Sequence, residues 1–392
     1  MDPAIKIDDA HLRPQHSAND APLRILGVDP ELGFAGGETQ VLGLTLGLLR
    51  RRHRAELACD PRGLLWERAR HEGIECHPLS IRNALDFAAG MRLRNLLAHA
   101  AYDIVHFHTS RAHSMAPFAR GQASALIVTR RMDYRPNLLF APYLYNRAVD
   151  AVAAISRRVA DVLGDAGVGQ DHLKIIPSGV DSDHFRPANP AERDTARVRL
   201  GISREDFLVG TLGMLEERKG HRYLLEAIAI LNRDQSEARR IKCAIAGEGA
   251  LRTELTKLAH QLNIANDTLF TGMVGDARQL LDALDAFVFP SLQEGLGVAL
   301  LEAMASGLPV VASRVGGIVD IVEDNRCGLL VAPRDPASIA RAVASLANDT
   351  TRRSELGNAA RLRVVEKFSM DTMTEKTIEL YRACLDGRER RR

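Results

Sequence analysis

Two carboxylates eight positions apart, Glu294 and Glu302, bracket a glycine-punctuated turn and the start of an apolar run. Gly295 and Gly297, with Leu296 between them, make a tight loop at the head of a helix-like segment, where free backbone N–H groups and the positive end of a helix dipole face an anion. Carboxylates beside such a site are poor phosphate ligands and good acceptors for sugar hydroxyls. Glu302 is surrounded in sequence by Val298, Ala299, Leu300, Leu301, Ala303 and Met304, which leaves little polar face for a merely solvated side chain. Lys219 is one of only seven lysines and lies between a strand-like run ending near 213 and a helix-like run that begins at Gly220. A helix dipole disfavours a cation at that end, so the residue suits neutralisation of an anion.

Other polar residues suit less. The imidazoles of His106 and His108, at the end of a strand over 103–107, are expected on opposite sides, and their spacing from His113 does not gather three imidazoles as a metal site. Asp181 and Asp183 spell an Asp-x-Asp pair beside a linker, which reads as coincidence. The five cysteines, Cys59, Cys76, Cys243, Cys327 and Cys384, are an odd, widely spaced set without a Cys-x-x-Cys pair. That pattern argues against a disulfide framework or a zinc site and fits a reducing cytoplasm. No metal ligand is expected.

The elements that must position these residues alternate regularly. An apolar strand over 23–28 is followed by a glycine-rich loop over 32–37 and a helix over 41–49, and strands follow at 55–59, 103–107, 125–129 and 150–155 with helical segments between. The pattern breaks over 183–190, where Pro187 and Pro190 interrupt it. It then restarts with strands at 207–213, 241–246, 286–289, 308–313 and 328–331 and helices over 221–231 and 251–262. Parallel strands with crossover helices predict two Rossmann-like α/β domains whose ligand lies outside the carboxyl ends of the strands, in the cleft between them. A length of 392 residues with 46% hydrophobic and 26% charged composition suits two such cores. The expected division is a disordered tail over 1–21, a first domain over 22–186, a second over 187–368, and over 369–392 a helix crossing back to the first domain with a basic tail. The start of the chain lacks the pattern of a secretory signal, and no run nears the roughly 20 apolar residues of a membrane span.

In this order the motifs resemble family 4 of the retaining glycosyltransferases of GT-B fold, whose signature is Glu-x7-Glu. The resemblance covers about 23–381 and includes the segments 176–181, 213–220, 246–249, Gly316 with Gly317, and 328–331. It implies transfer of a sugar from a nucleotide diphosphate donor to an acceptor hydroxyl with retention, by front-face substitution, with no metal and no cofactor. It gives Glu294 the donor sugar, Glu302 the nucleotide ribose, Lys219 the leaving diphosphate, and His108 a contact with the donor sugar. Gly36, Gly37, Gly295, Leu296 and Gly297 fall in donor-binding loops, and a segment near 271–275 reads the base. Two positions depart from the family: Met214 stands where many members have Arg, leaving Arg218 as the candidate second cation, and Ala35 falls on the first glycine of the Gly-Gly-x-Glu loop when Glu38 is aligned. The alternatives are a nucleotide-sugar epimerase of the same architecture or a catalytically silent nucleotide-sugar-binding protein.

Net charge is only +2, so no global argument for nucleic acid is available, and aromatic interleaving of the kind that binds single strands is missing. Yet 50–158 holds eighteen arginines and no lysine against nine acids, with clusters at Arg50-Arg51-Arg52, Arg92 with Arg94, and Arg130-Arg131. Such clusters fit a solvated face or one that meets an acidic acceptor or an anionic membrane surface. Arg130 and Arg131 end a strand of the acceptor domain, and alternation predicts that one of them faces the cleft and binds the acceptor. The expected setting is the cytoplasm, peripheral at the inner membrane face, in bacterial envelope glycan synthesis such as lipopolysaccharide or exopolysaccharide.

Overall fold

The computed structural model describes residues 21–137, 141–233 and 240–389. All but one residue of the tail over 1–21, and the final Arg390-Arg391-Arg392, lie outside that range. Two parallel sheets make up the chain. The first contains β1 (Arg24–Asp29), β2 (Arg54–Cys59), β3 (Cys76–Pro78), β4 (Tyr102–Phe107), β5 (Ala123–Arg130), β6 (Ala151–Ala154) and β7 (Leu173–Ile175), in the order β3-β2-β1-β4-β5-β6-β7. The second contains β8 (Leu208–Leu212), β9 (Lys242–Ala246), β10 (Thr268–Gly272), β11 (Ala286–Phe289), β12 (Val310–Ser313) and β13 (Leu329–Val331), in the order β10-β9-β8-β11-β12-β13. Each strand predicted from an apolar run is present within three residues of its expected ends. Those not anticipated, β3, β7 and β10, are short edge strands that pair on one side only and need no two-sided apolar run.

The chain order reverses between β1 and β4 in the first sheet and between β8 and β11 in the second. Crossover helices diverge to opposite faces at those points and leave a crevice beyond the carboxyl ends of the strands. The loops after β1, β4, β8 and β11 carry Gly36 and Gly37, His108, Lys219, and Glu294 respectively. The topology therefore brings to one cleft what the sequence spreads over more than 250 positions.

Between the sheets the helix Pro190–Leu200 opens with a capping box of Asn189 and Glu192, the reason the chain restarts directly after its proline break. Its Arg193 and Arg197 both pair with Asp285 at 2.6 Å, tying it to the second sheet. After the helix Thr350–Lys367 the chain makes a bridge between Ser369 and Val180, and the helix Met370–Glu389 packs on the first domain against the helix Gly36–Arg50 and β5. Glycine makes the fit possible: a Cβ on Gly47 would lie 2.4 Å from Thr374 Oγ1. Tyr381, fully buried, sets its hydroxyl 2.7 Å from His106 Nδ1, while His106 Nε2 lies 2.7 Å from Thr129 Oγ1. Among the described residues no helix is long and apolar enough to cross a membrane.

Removing that hydroxyl leaves a buried imidazole nitrogen without a partner. Tyr381→Phe is expected to lower the free energy of unfolding by about 1–3 kcal/mol. Urea titration checks this, and an unchanged midpoint and slope would show that the C-terminal helix does not depend on the contact.

Candidate active site

Strand β8 ends beneath a short turn, Glu217–Lys219, that closes on Gly220. Gly220 has φ 65°, and a Cβ there would fall 2.1 Å from the carbonyl oxygen of Pro290. Only glycine lets this loop approach the end of β11 so closely. The approach sets Lys219 Nζ 2.6 Å from Glu294 Oε2, with the two side chains 13% and 12% exposed. Ser291 Oγ lies 3.4 Å from the same carboxylate oxygen, and the ammonium stands 5.3 Å from the centre of the Phe289 ring. Two charges this far from solvent are tolerable only as a pair.

Glu294 is also held by its backbone, since its carbonyl accepts from the N–H of Gly317 at 3.1 Å. The helix Val298–Ala305 begins after Gly297, which takes φ 109°. Leu296 is 1% exposed in the core, so only its backbone is available to a ligand. Glu302 projects from this helix without a hydrogen bond or ion pair among the described residues. Burial, with Asp276 nearby, pushes its carboxyl up to about 8. Asp276 belongs to the loop that follows β10, next to the segment expected to read the base, and pairs with His184 at 3.1 Å.

Arg218 does not join Lys219. Its guanidinium pairs with Glu216 at 2.5 Å, half exposed, while its carbonyl accepts from the Leu292 N–H at 2.7 Å. Neighbours in sequence diverge here because the turn is a single tight one. Met214 is 57% exposed and offers no charge in place of an arginine.

In the first domain Gly36 and Gly37 start the helix that follows β1, and a Cβ on Gly36 would meet Val298 of the other domain at 3.4 Å. Glu38 accepts from the Ala35 N–H at 2.7 Å, so its carboxylate caps the helix. The expectation for the histidines is corrected: residues two apart in an extended segment share a face, and the rings of His106 and His108 lie side by side, tilted by 36° with centres 4.1 Å apart. His108 is 4% exposed, burial holds it well below the usual imidazole range, and its Nδ1 has no partner among the described residues. His113 is turned to Tyr145 and the Thr129 carbonyl. Asp181 accepts from the N–H groups of Asp183 and His184 at 3.1 and 3.0 Å, closing a turn. Among the described residues the group whose ligand atoms converge is Glu56, Glu75 and His77. There Glu56 is already engaged by Arg24 at 2.9 Å, His77 at 2.8 Å and the Tyr102 hydroxyl.

The two arginines at the end of β5 part company. Arg130 is 3% exposed, donates to Ser110 Oγ at 3.0 Å and the Tyr134 carbonyl at 2.9 Å, and stacks on the Tyr134 ring, so it is spent within its own domain. Arg131 runs along Gly37 toward Asp29 and Glu38, and burial lowers its guanidinium to about 10. Its carbonyl covers Gly295, where a Cβ would come within 2.3 Å. Asp29, which sequence reasoning missed, ends β1 almost fully buried; desolvation raises it to about 7, and Oδ2 has no partner among the described residues. The one signal for it was an acid closing an apolar strand just before a glycine loop. Gln293 Nε2 donates to Asp133 Oδ1 at 2.9 Å and the Arg157 N–H to Asp320 Oδ2 at 2.8 Å, so the two domains are in direct contact around the cleft.

Two parallel-sheet domains whose switch points face one cleft define the GT-B class of glycosyltransferase. The chain belongs to glycosyltransferase family 4: residues 34–184 match the model described as Glycosyltransferase Family 4, and residues 192–363 that of Glycosyl transferases group 1. It is 30% identical over 315 residues to the D-inositol 3-phosphate glycosyltransferase of Streptomyces avermitilis, covering 74% of this chain and 67% of that one. It is 32% identical over 312 residues to the GDP-mannose-dependent alpha-(1-6)-phosphatidylinositol monomannoside mannosyltransferase of Mycobacterium tuberculosis, covering 74% and 79%. The fold matches Anabaena HepE, solved in complex with UDP and glucose, with a TM-score of 0.82 at 22% identity over 91% of this chain and 99% of that one.

The isolated position of Glu302 has a pH signature. Between about 4.5, its ordinary value, and about 8 the unfolded chain has released this proton while the native state retains it, so stability falls as pH rises through that window. Glu302→Gln removes the loss. Its melting temperature is expected to equal that of the parent in acid and exceed it at pH values above 8. Parallel curves from acid to alkali would show that Glu302 titrates normally.

Proposed function

We propose that this glycosyltransferase moves a sugar from a nucleoside diphosphate donor to an acceptor hydroxyl with retention, using no metal and no cofactor. The observation that carries this reading is the Lys219–Glu294 pair at the carboxyl ends of β8 and β11. A sugar hydroxyl that donates to Glu294 frees the ammonium for the diphosphate, so charge develops on the leaving group where a cation is already fixed. The amides of Gly295, Leu296 and Gly297, with Gly36 and Gly37 opposite, are assigned to the donor. Glu302, whose carboxyl has no partner among the described residues, is assigned to the ribose hydroxyls. His108, neutral at physiological pH, is assigned a hydrogen bond to the donor sugar. Arg218 is left to hold the loop.

No carboxylate or thiol of this set is assigned as a nucleophile, and front-face substitution needs none: the departing diphosphate takes the acceptor proton as the new glycosidic bond forms. On the acceptor side Arg131 is retained and Arg130 is not. The named relatives include enzymes of an inositol phosphate and a phosphatidylinositol mannoside, which supports a phosphorylated or lipid-linked acceptor here. An anionic acceptor must compete with Asp29 for Arg131, and protonation of Asp29 near neutral pH relieves that competition. A cytoplasmic role in envelope glycan synthesis follows from such an acceptor.

A thermal-shift panel of UDP-, GDP- and ADP-sugars tests the donor, since the right one stabilises the chain by mass action. With that donor Lys219→Ala is expected to lower kcat by about 100-fold or more. Chelator is expected to leave turnover intact. Near-parental turnover of the variant, or activity that needs added metal, would overturn the mechanism, and donor binding without transfer would favour a silent binding protein.

A further inference from the structure

The helices Phe87–Ala98, Ala116–Ala119 and Leu144–Ala148 form one layer on the first sheet. Gly90 seats the first against Phe118 of the second, and the rings of Phe87 and Phe118 meet edge-on with centres 5.3 Å apart. None of these helices contains an aspartate or glutamate. Instead Arg92, Arg94 and Arg120 are exposed around a protruding apolar group: Leu85 is 91% exposed, Phe87 67% and Met91 38%. The acid within this surface, Asp86, is 3% exposed, capping the Ala89 N–H and paired with Arg82 at 2.9 Å. Arg94 and Arg120 have no ion pair among the described residues. Isolated exposed apolar side chains are ordinary, but three at one helix start inside an arginine-bearing surface whose acid, Asp86, is buried and paired are not.

The other arginine clusters are used differently. Arg51 pairs with Asp371 and Glu375, each at 3.0 Å, where the C-terminal helix packs. Arg130 and Arg131 are enclosed as described. The cluster of Arg92 and Arg94 is instead exposed, with no ion pair among the described residues.

We propose that this face docks on an anionic lipid bilayer, with Leu85, Phe87 and Met91 entering the headgroup boundary and Arg92, Arg94 and Arg120 meeting lipid phosphates. The occupant follows from charge and shape: an apolar tip ringed by arginine suits an interface that is greasy below and negative above. In a parallel sheet the helix after β3 starts at the carboxyl edge, the edge that also carries Asp29 and His108. Docking there turns the mouth of the acceptor domain toward the membrane. The idea rests on the lipid-linked form of the acceptor proposed above, but it is read without turnover, so the two fail separately.

The test is flotation of the full chain with vesicles of phosphatidylcholine alone and of equimolar phosphatidylcholine and phosphatidylglycerol. Binding is expected to the anionic vesicles only, and to fall with added salt. Leu85→Glu and Arg94→Glu, both at exposed positions, are each expected to weaken it by about fivefold or more, the effect of one interfacial charge. No binding to anionic vesicles, equal binding to both kinds, or no response to either variant would overturn the proposal. Self-association without lipid that Leu85→Glu abolishes would assign the face to a second copy of the chain and overturn it as well.

Discussion

The buried ion pair between Lys219 and Glu294 is the constraint on which the second domain's half of the cleft depends. It requires two loops from strands adjacent in space but nearly eighty positions apart in sequence to touch, and Gly220 against Pro290 is what allows the touch. Neither charge could stay there alone, since an unpaired buried ion costs several kcal/mol. Charge satisfaction and loop geometry are thus one requirement. A ligand that supplies both a hydroxyl and an anion can replace this pair without leaving either group stranded, whereas a ligand that supplies only one cannot.

Contact between the domains follows the same rule of close approach. Gly36 faces Val298, Gly295 lies under the Arg131 carbonyl, and Gly317 meets the Ser156 side chain. Read along the chain, these glycines look like phosphate loops. In the fold they also let two backbones pass within van der Waals reach across the cleft, so a side chain at Gly295 would hold the domains apart as well as disturb the loop. One residue type answers two needs, and sequence alone shows only the first.

Much of the fold was legible because central parallel strands are buried on both faces and must be continuously apolar, as in β1, β5 and β11. The edge strands β3, β7 and β10 escaped that logic, since one flank needs no cover. The site was legible where a residue was odd for its neighbourhood: Lys219 among arginines, Glu302 in an apolar helix. It failed where the period of a strand was misapplied and where partners lie far away in sequence. His106 and His108 are two apart, the spacing that puts side chains on one face of an extended segment, and their rings lie together instead of opposing each other. For Arg130 and Arg131 alternation separates the pair without saying which faces the cleft; the guanidinium of Arg130 satisfies Ser110 and the Tyr134 carbonyl, partners no spacing reveals.

Asp29 shows why charge counted along a sequence does not give charge felt in a cleft. The excess of arginine over 50–158 suggests a basic acceptor domain, yet beside the cleft Arg131 lies between Asp29 and Glu38. Glu38 is held by the Ala35 N–H, whereas Asp29 leaves one carboxylate oxygen without a partner among the described residues. Desolvation and Glu38 raise its carboxyl while Arg131 opposes the rise, so its protonation answers to whatever else enters the site. A neutral polyol leaves that balance as it stands. An anionic group approaching Arg131 raises Asp29 further, and the proton it takes up removes the competing charge. The local field near Arg131 therefore answers to any charged group that enters the cleft as much as to the protein, whereas Arg94 and Arg120, without an ion pair among the described residues, lie on the outer helical layer.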